Sequence, residues 1–355
     1  MFLRTPWQNK NPPHLTVMLS VSEITPQTNP YISMLVNGLR PATELLLFDR
    51  VKLLSRQVDV LHVHWPESLI RGGRRPKRAA KYCFAIIFLL LPRKLRAKIV
   101  WTQHNRAPHE SGGVLEKLFL RLFFSRVDHI IYINASPEND LCVASSTILH
   151  GKYEPIVIPE ELVAAAHHCD FLFFGLLRPY KAIEQLIEAF KHMPSDASLR
   201  LIGHASTSYA EHLREAASSE RAMIEVDTRF LSEPDLQAAI GATRWVVLPN
   251  PEMYNSGSAI LALSLGRPVL VPATPSNTAL QEEFGEQWVR LFTPPLGVAD
   301  LIEAAAQEQP FGHPPMERRT WPEAISAHVA IYDGLANTAE SRNQRETAAV
   351  PKGRS

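Results

Sequence analysis

Short apolar runs that alternate with helical patterns extend along nearly the whole chain, and this alternation constrains the fold more than any other feature. The runs are rich in β-branched and aromatic residues, and the segments between them repeat apolar residues every three or four positions. We predict buried parallel strands over residues 15–20, 58–64, 98–102, 129–134, 170–174, 198–202, 223–226, 245–249 and 268–271. We predict helices over residues 182–192, 209–217, 233–240 and 258–265. This pattern indicates an α/β protein with two doubly wound, Rossmann-like domains.

The length of the chain also favours two domains. It has 355 residues, whereas a single core stops growing beyond about 250–300 residues. We predict a first domain over residues 1–158, a second over 159–335, and a disordered tail over 336–355, which has no apolar period. A final helix over 322–335 could return to the first domain.

Two features favour a reducing compartment. The N-terminal residues lack the continuous apolar core of a signal peptide. The cysteines are odd in number and far apart, which excludes a disulfide framework or a zinc cluster built from them; they are Cys83, Cys142 and Cys169.

Positive charge is concentrated in the first half of the chain. Residues 1–150 carry 20 Lys and Arg against 10 Asp and Glu, whereas the remainder carries 17 against 26. The net charges of the two parts are therefore +10 and −9, although the whole chain carries only +1. We expect the first half to meet an anionic partner. Nucleic acid is not expected, because the basic zone contains no recognisable reader motif.

The most basic zone surrounds the most apolar one, between Glu67 and Glu110. It holds 11 basic residues, no acid, and the apolar run 82–91, about half of the ~20 residues that a membrane-spanning helix needs. This pattern suits a helix on an anionic membrane surface, and residues 115–124 repeat it. The alternative is a buried core helix with a solvated basic collar. The membrane interpretation assigns lipid contact to Arg74, Arg75, Lys77, Arg78, Lys81, Arg93 and Lys94.

Two loops in the second half have the composition of an anion-binding site. The first follows the strand over 170–174 and contains Gly175, Arg178 and Lys181. The second leads into the helix over 258–265 and contains Tyr254, Asn255, Ser256, Gly257 and Ser258. Helix N-termini favour anions, although each loop alone could be an ordinary turn or cap. Two such helix starts in one domain predict a nucleotide diphosphate site. A P-loop ATPase is disfavoured because the GxxxxGK[ST] motif is missing from the sequence.

These motifs carry a resemblance to a known family. The pattern G-x-x-R-x-x-K followed by N-S-G-S-A-x-L-x-L-S-L-G-R-P-V-L-V-P resembles the donor domain of a GT-B glycosyltransferase. The first half adds T-N-P-Y, D-V-L-H-V-H-W-P-E, T-Q-H-N-R-A-P-H-E and I-L-H-G-K-Y. Together they resemble the GDP-mannose:glycolipid 4-β-D-mannosyltransferases of xanthan-type exopolysaccharide assembly, from about residue 15 to residue 335.

The resemblance implies a fold and a reaction. The fold would be GT-B, with two facing Rossmann-like domains, the first binding acceptor and membrane and the second binding the nucleotide sugar, and a cleft between them. The reaction would be inverting transfer of mannose from GDP-mannose to a polyprenyl-diphosphate-linked oligosaccharide, β-1,4 onto a terminal glucuronic acid. The enzyme would be peripheral or monotopic on the cytoplasmic face of the bacterial inner membrane. GT-B enzymes generally need no catalytic metal, so we expect no cofactor and no metal.

The sequence departs from the broader GT-B pattern at two places. Retaining members usually carry two glutamates eight positions apart, where this chain has Met253 and Leu261. Their absence is consistent with an inverting enzyme. Ala182 stands where a glycine often follows the lysine, which would set the backbone slightly farther from the phosphates.

Inverting transfer needs a general base for the acceptor hydroxyl, and the first domain should supply it. We take Glu67 as the leading candidate, then Glu110, with His104 as a further one. Glu67 could instead cap a helix or pair with Arg71, and each histidine could be an ordinary ring at a strand end. A metal on His62 and His64 is not expected, because no carboxylate cluster completes such a site. The acceptor-binding residues would be Asn29, Tyr31, His64, Trp65, Asn105 and His109.

Two other functions fit the same fold. A sugar-nucleotide epimerase or hydrolase would turn over the nucleotide sugar without a lipid acceptor. A degenerate transferase would bind only membrane or polysaccharide, although the intact donor loops count against it.

Overall fold

The computed structural model describes residues 15–25, 28–55, 58–72, 75–91, 97–105, 112–135, 142–165, 168–194, 196–219 and 222–348. The chain divides into two compact units, Met1–His150 with Arg319–Ser355, and Gly151–Arg318. The division falls eight residues before the boundary placed at residue 158. The cause is hydrogen bonding, since the amides of Tyr153 and Ile156 donate to Ser264 and Gln237 of the second unit, at 3.0 and 3.2 Å.

The first unit contains a six-stranded sheet in the order β2-β1-β3-β4-β5-β6. All five strand pairs are parallel. The strands are β1 (Thr16–Leu19), β2 (Glu44–Leu46), β3 (Val60–Val63), β4 (Lys98–Gln103), β5 (His129–Tyr132) and β6 (Ser145–Thr147). The central strands are buried on both faces, as expected for a parallel sheet covered by helices on both sides.

Helices of the first unit form two apolar layers, one on each face of the sheet. The helices are α1 (Pro30–Leu39), α2 (Arg50–Leu54), α3 (Arg75–Leu90), α4 (Val114–Phe124) and, from the end of the chain, α12 (Trp321–Ala348). One core cluster joins the sheet to α2, α3 and α4. The other joins it to α1 and α12.

The C-terminal helix differs from its prediction in length. It begins at Trp321 and continues to Ala348, so residues 336–348, assigned to a disordered tail, are helical. Helix propensity explains this, because the sequence over 336–348 is free of Gly and Pro and rich in Ala, Glu and Arg. Residues 349–355 of the tail lie outside the described residues.

The second unit contains another six-stranded parallel sheet, in the order β12-β11-β10-β7-β8-β9. Its strands are β7 (Cys169–Phe174), β8 (Ser198–Ile202), β9 (Met223–Asp227), β10 (Thr243–Val247), β11 (Val269–Pro272) and β12 (Val289–Phe292). Its helices are α5 (Glu160–Ala165), α6 (Ile183–Lys191), α7 (Thr207–Ala217), α8 (Glu233–Gly241), α9 (Gly257–Ser264), α10 (Pro275–Phe284) and α11 (Val298–Ala305).

The strand order places a topological switch point between β7 and β10. The chain moves outward from β7 to β9 and then returns to the other side of β7 at β10. In open α/β sheets, ligands bind outside the carboxyl ends of the strands at such a point. The two anion-suited loops predicted from the sequence follow these two strands.

Candidate functional site

The second unit brings the two predicted loops together at the switch point. Gly175 follows β7, and Ser258 lies in the first turn of α9, which follows β10. A Cβ placed on Gly175 would lie 3.5 Å from Lys181 Nζ and 3.6 Å from Ser258 Oγ. Gly175 also has a φ of 112°, which an L side chain rarely adopts. A glycine, a cation, a hydroxyl and a helix N-terminus therefore converge on one place, which we call the donor cradle.

Lys181 is the cation of the donor cradle and is half-buried. It ends the 3₁₀ turn Pro179–Lys181, and its ammonium lies 5.4 Å from the centre of the Phe173 ring. Burial, together with the nearby charge of Arg178, lowers the pKa of Lys181 to about 8. Because burial disfavours the charge of Lys181 in the free protein, an anion that binds beside it would stabilise the charged form.

The glycine after β8 is a part of the cradle that was not predicted from the sequence. A Cβ on Gly203 would overlap the carbonyl oxygen of Gly175, and Gly203 has a φ of 152°. The two backbones approach closely because β7 and β8 are hydrogen-bonded neighbours. A glycine directly after a predicted strand is the signal that could have identified it.

Arg178 lies at the N-terminus of the same 3₁₀ turn and faces a cavity. Its guanidinium donates to the carbonyl of Leu177 at 3.2 Å. The cavity has a volume of about 330 Å³ and is lined by Leu177, Arg178, Pro179, Ser206, Ser208, Tyr209 and His212. Its volume suits part of a small ligand, and its side chains include a guanidinium, three hydroxyls and an imidazole that could bind polar groups.

The backbone at position 182, where this chain has alanine, adopts a conformation that favours glycine. Ala182 has φ 55° and ψ 37°, in the left-handed region, between the 3₁₀ turn and α6. This conformation costs an L-residue roughly 1–2 kcal/mol. Alanine at this position therefore strains the backbone, independently of any effect on the distance between the backbone and a ligand.

We expect Ala182→Gly to raise the free energy of unfolding by about 0.5–1 kcal/mol, because relief of the left-handed strain is partly offset by the entropy of a glycine in the unfolded chain. Urea unfolding would measure it. Ala189→Gly in α6 is the matched control and should destabilise the protein, since a helical glycine costs about 1 kcal/mol relative to alanine. Lower stability of Ala182→Gly would contradict the left-handed geometry.

The structure also places the other predicted residues of the second loop. Ser256 is the N-cap of α9, and its hydroxyl accepts from the amide of Ala259 at 3.1 Å. Tyr254 is buried, as is Met253. Asn255 is half-buried between them and the cap. Of the five predicted residues in this loop, Ser258 is the one whose side chain lies beside Gly175.

In the first unit, three histidines gather at the ends of β3 and β4. His62 is buried, and its ring nitrogens hydrogen-bond Thr102 Oγ1 and Tyr332 OH, each at 2.7 Å. His64 is also buried, and its Nδ1 lies 3.0 Å from Nε2 of His104. Burial lowers the pKa of all three rings, to about 3 for His104. They are therefore neutral at physiological pH.

Aromatic rings surround these histidines. The Tyr31 ring packs against the rings of His64, His104, His150 and Trp321, with centroid distances between 5.0 and 6.0 Å. Trp65 stacks on His104 at 4.4 Å. Two of these neighbours, Trp321 and Tyr332, belong to α12 and were not predicted, because they lie more than 200 residues away along the chain.

Five of the six predicted acceptor residues lie within the described part of the chain. Tyr31, His64 and Trp65 are brought together around His104. Asn29 is the N-cap of α1, and its side chain accepts from the amide of Tyr31 at 2.9 Å. Asn105 directly follows His104 and is half-buried.

Glu67 lies in the 3₁₀ turn Pro66–Leu69, directly after β3 and Trp65. It is half-buried, and burial raises its pKa, against the opposing effects of its own backbone amide and of Arg71. The guanidinium of Arg71 forms a two-pronged ion pair with Glu116 of α4, at 2.9 and 2.6 Å. Glu67 is therefore a carboxylate whose proton affinity is shifted toward neutral pH, as a general base requires.

Helices α3 and α4, which contact each other, present apolar side chains to solvent. Those more than half exposed are Ile87, Leu90, Val114, Leu115 and Leu118. The same α3 buries Ala85, Phe88 and Leu89 in the core. Lys77 and Arg78 are exposed, whereas the half-buried Lys81 donates to the carbonyl of Arg71 at 2.6 Å. We call the exposed apolar residues of α3 and α4, with Lys77 and Arg78, the α3–α4 surface.

Several predicted residues lie outside what the structure describes. They are Glu110, His109, Arg74, Arg93 and Lys94, and for Arg75 the backbone alone is described. Within the described ranges, no helix has the length and apolarity needed to cross a bilayer. Within the same ranges, no three His, Cys, Asp or Glu side chains are grouped as metal ligands.

Comparison with curated proteins shows close similarity over almost the whole chain. It is 34% identical over 332 residues to a GDP-mannose:glycolipid 4-beta-D-mannosyltransferase of Xanthomonas campestris pv. campestris strain ATCC 33913, covering 90% of this chain and 92% of that protein. A second protein of the same description from Xanthomonas campestris pv. campestris matches with the same identity and coverage. No protein-family profile matches the chain.

Solved structures resemble the fold at low sequence identity. Sucrose-phosphate synthase from Thermosynechococcus elongatus matches with a TM-score of 0.58 and 14% identity, over 96% of this chain and all of that one. The HepE protein of Anabaena, solved with UDP and glucose, matches at 0.55 and 13%, over 95% and 100%. AviGT4, a glycosyltransferase of avilamycin A biosynthesis, matches at 0.53 and 15%, over 91% and 98%. The predicted α/β, GT-B fold class is confirmed.

Proposed function

Because the chain belongs to the family of the GDP-mannose:glycolipid 4-β-D-mannosyltransferases, we propose that it transfers mannose from GDP-mannose to a glycolipid. The observation that carries this proposal is the donor cradle, where Lys181 and Ser258 meet beside Gly175. A diphosphate bound there would gain from an ammonium ion, a hydroxyl and the N-terminus of α9.

The finer proposal is that transfer inverts the anomeric carbon. The relatives are named for a β-linked product, and GDP-mannose is an α-linked donor. The acceptor hydroxyl would lose its proton to Glu67 and form the new C–O bond as the bond to the diphosphate breaks. GDP would leave with that electron pair, and Lys181 and Arg178 would stabilise its charge. His104 is a weaker candidate for the base, because burial moves its pKa away from neutrality.

We further propose that the acceptor is a polyprenyl-diphosphate-linked oligosaccharide ending in glucuronic acid, as in xanthan-type repeat-unit assembly. The net charge of +10 over residues 1–150 suits an acceptor with a carboxylate and a diphosphate. Trp65 is half-buried and offers ring area against which a sugar can pack, whereas Tyr31 is buried and packs against the neighbouring rings. The enzyme would lie on the cytoplasmic face of the inner membrane.

Donor preference is the direct test. We expect GDP to raise the melting temperature more than UDP, ADP or CMP, because a ligand at 100 times its Kd stabilises the native state by about 2.7 kcal/mol. A transfer assay with GDP-mannose should then need the lipid-linked acceptor. Preferential stabilisation by UDP would contradict the donor assignment. Turnover of GDP-mannose without acceptor would favour an epimerase or hydrolase instead.

We propose that the α3–α4 surface lies on the membrane. Binding to anionic vesicles should exceed binding to neutral ones and should weaken at 1 M salt, where the Debye length is about 3 Å. The double variant with Leu115→Ser and Leu118→Ser should bind anionic vesicles more weakly than the parent, since it removes exposed apolar area. Phe311→Ser changes a fully exposed apolar residue of the second unit and should leave binding unchanged. Equal co-sedimentation of the protein with anionic and with neutral vesicles would rule out an electrostatic contribution to membrane binding.

A further inference from the structure

Arg71 lies where the turn carrying Glu67 meets α3 and α4. Its amide donates to the carbonyl of Glu67 at 2.9 Å. Its carbonyl accepts from the ammonium of Lys81 on α3 at 2.6 Å. Its guanidinium donates through Nε and Nη2 to the two carboxylate oxygens of Glu116 on α4, at 2.9 and 2.6 Å. One residue thus joins three elements through its backbone and its side chain.

Glu116 is the anchor of this arrangement. It is only 6% exposed, whereas Glu residues are rarely buried unless paired. Gly112 adjoins its carboxylate so closely that a Cβ there would overlap it. The two parallel hydrogen bonds of a guanidinium to a carboxylate fix orientation as well as distance. The position of the Arg71 guanidinium is therefore determined by Glu116.

The pair has an electrostatic consequence for Glu67. The charges that act on Glu67 are Arg71, which favours its ionised form, and Glu116, which disfavours it. Glu116 in turn faces Arg71 and, from α3, Tyr82, on which Arg78 also acts. Burial is the largest influence and raises the pKa of Glu67, while Glu116 offsets part of the opposing effect of Arg71. A carboxylate held ionised by a free arginine would be a weaker base.

We propose that Glu116 is a positioning residue for the transfer reaction, because it holds Arg71 in a fixed fork and thereby sets how readily Glu67 takes the acceptor proton. This inference rests on the proposed role of Glu67. The pair also links the base to α4, a helix of the α3–α4 surface.

The pH dependence of kcat/KM tests the proposal, because substitutions of Glu116 and of Arg71 should shift it in opposite directions. Turnover rises with pH as Glu67 loses its proton, so the midpoint of the acid limb follows its pKa. Glu116→Gln removes a negative charge and the carboxylate that pairs with Arg71, which should move the limb to lower pH by about one unit. Arg71→Gln leaves the Glu116 charge uncompensated and should move it to higher pH. The double variant with both Glu116→Gln and Arg71→Gln should have an acid limb close to that of the parent enzyme.

Matched controls keep the outcome interpretable. Glu225→Gln breaks a similar arginine fork in the second unit, from Arg200 at 2.8 and 3.3 Å, and should not move the limb. If Glu116→Gln fails to fold, Arg71→Lys keeps the charge without the fork and should give a smaller shift to lower pH. Shifts in the same direction, or no shift in either variant, would overturn the proposal while leaving Glu67 as the base. If Glu67→Gln itself retains turnover, the proposed base is wrong and the limb belongs to another group.

Discussion

Glu67→Gln is expected to lower kcat by roughly 10²–10⁴-fold, the range for loss of a general base, while donor affinity changes little. The substitution keeps the size of the side chain and removes its basicity. The position after β3 and Trp65, with a pKa raised by burial, makes Glu67 the best-placed carboxylate of the first unit among the described residues. Single-turnover transfer from GDP-mannose, with GDP binding measured separately, would separate chemistry from binding.

The matched control for this variant is Glu44→Gln, which changes an exposed carboxylate on the edge strand β2 of the same unit and should leave kcat unchanged. Activity of Glu67→Gln within a few fold of the parent would move the assignment to Glu110 or His104. A lower melting temperature with retained activity would indicate a capping role for Glu67.

The sequence predicts the central strands well because they carry long buried apolar runs. β3, β4, β7 and β8 all fall within or overlap residues predicted as strands. The edge strand β9 was predicted over residues 223–226, but the edge strands β2, β6 and β12 were not predicted. They have three or four residues, and several of their side chains are exposed or half-buried, so an apolar pattern is weak there.

The candidate site was predictable only where its residues are close in sequence to a recognisable loop. Lys181 and Ser258 were found because each begins or precedes a helix after a strand. Tyr332 and Glu116 were not, because their roles depend on contacts made across the fold, with His62 and with Arg71. A helix with a regular apolar period gives no sign of which residue will contact a site.

Lys181→Ala should weaken donor binding by about 1.5–3 kcal/mol, or roughly 10–150-fold in Kd, because it removes a charged hydrogen-bond donor from a diphosphate. Arg178→Ala should have an effect in the same range. Isothermal titration with GDP would measure both. Lys191→Ala removes a cation at the other end of α6 and should bind GDP like the parent. Unchanged affinity in both cradle variants would remove these residues from the donor site.

Lys181 also predicts the direction of a pH effect. Its pKa of about 8 in the free protein means that the ammonium form, which we propose binds the diphosphate, is lost as the pH rises through 8. GDP affinity should therefore fall by up to tenfold per unit as the pH rises above 8. Lys181→Arg keeps a cation that does not titrate in this range and should abolish the fall, whereas Lys181→Ala should show weak binding at every pH. A fall that persists in Lys181→Arg would assign the titration to another group.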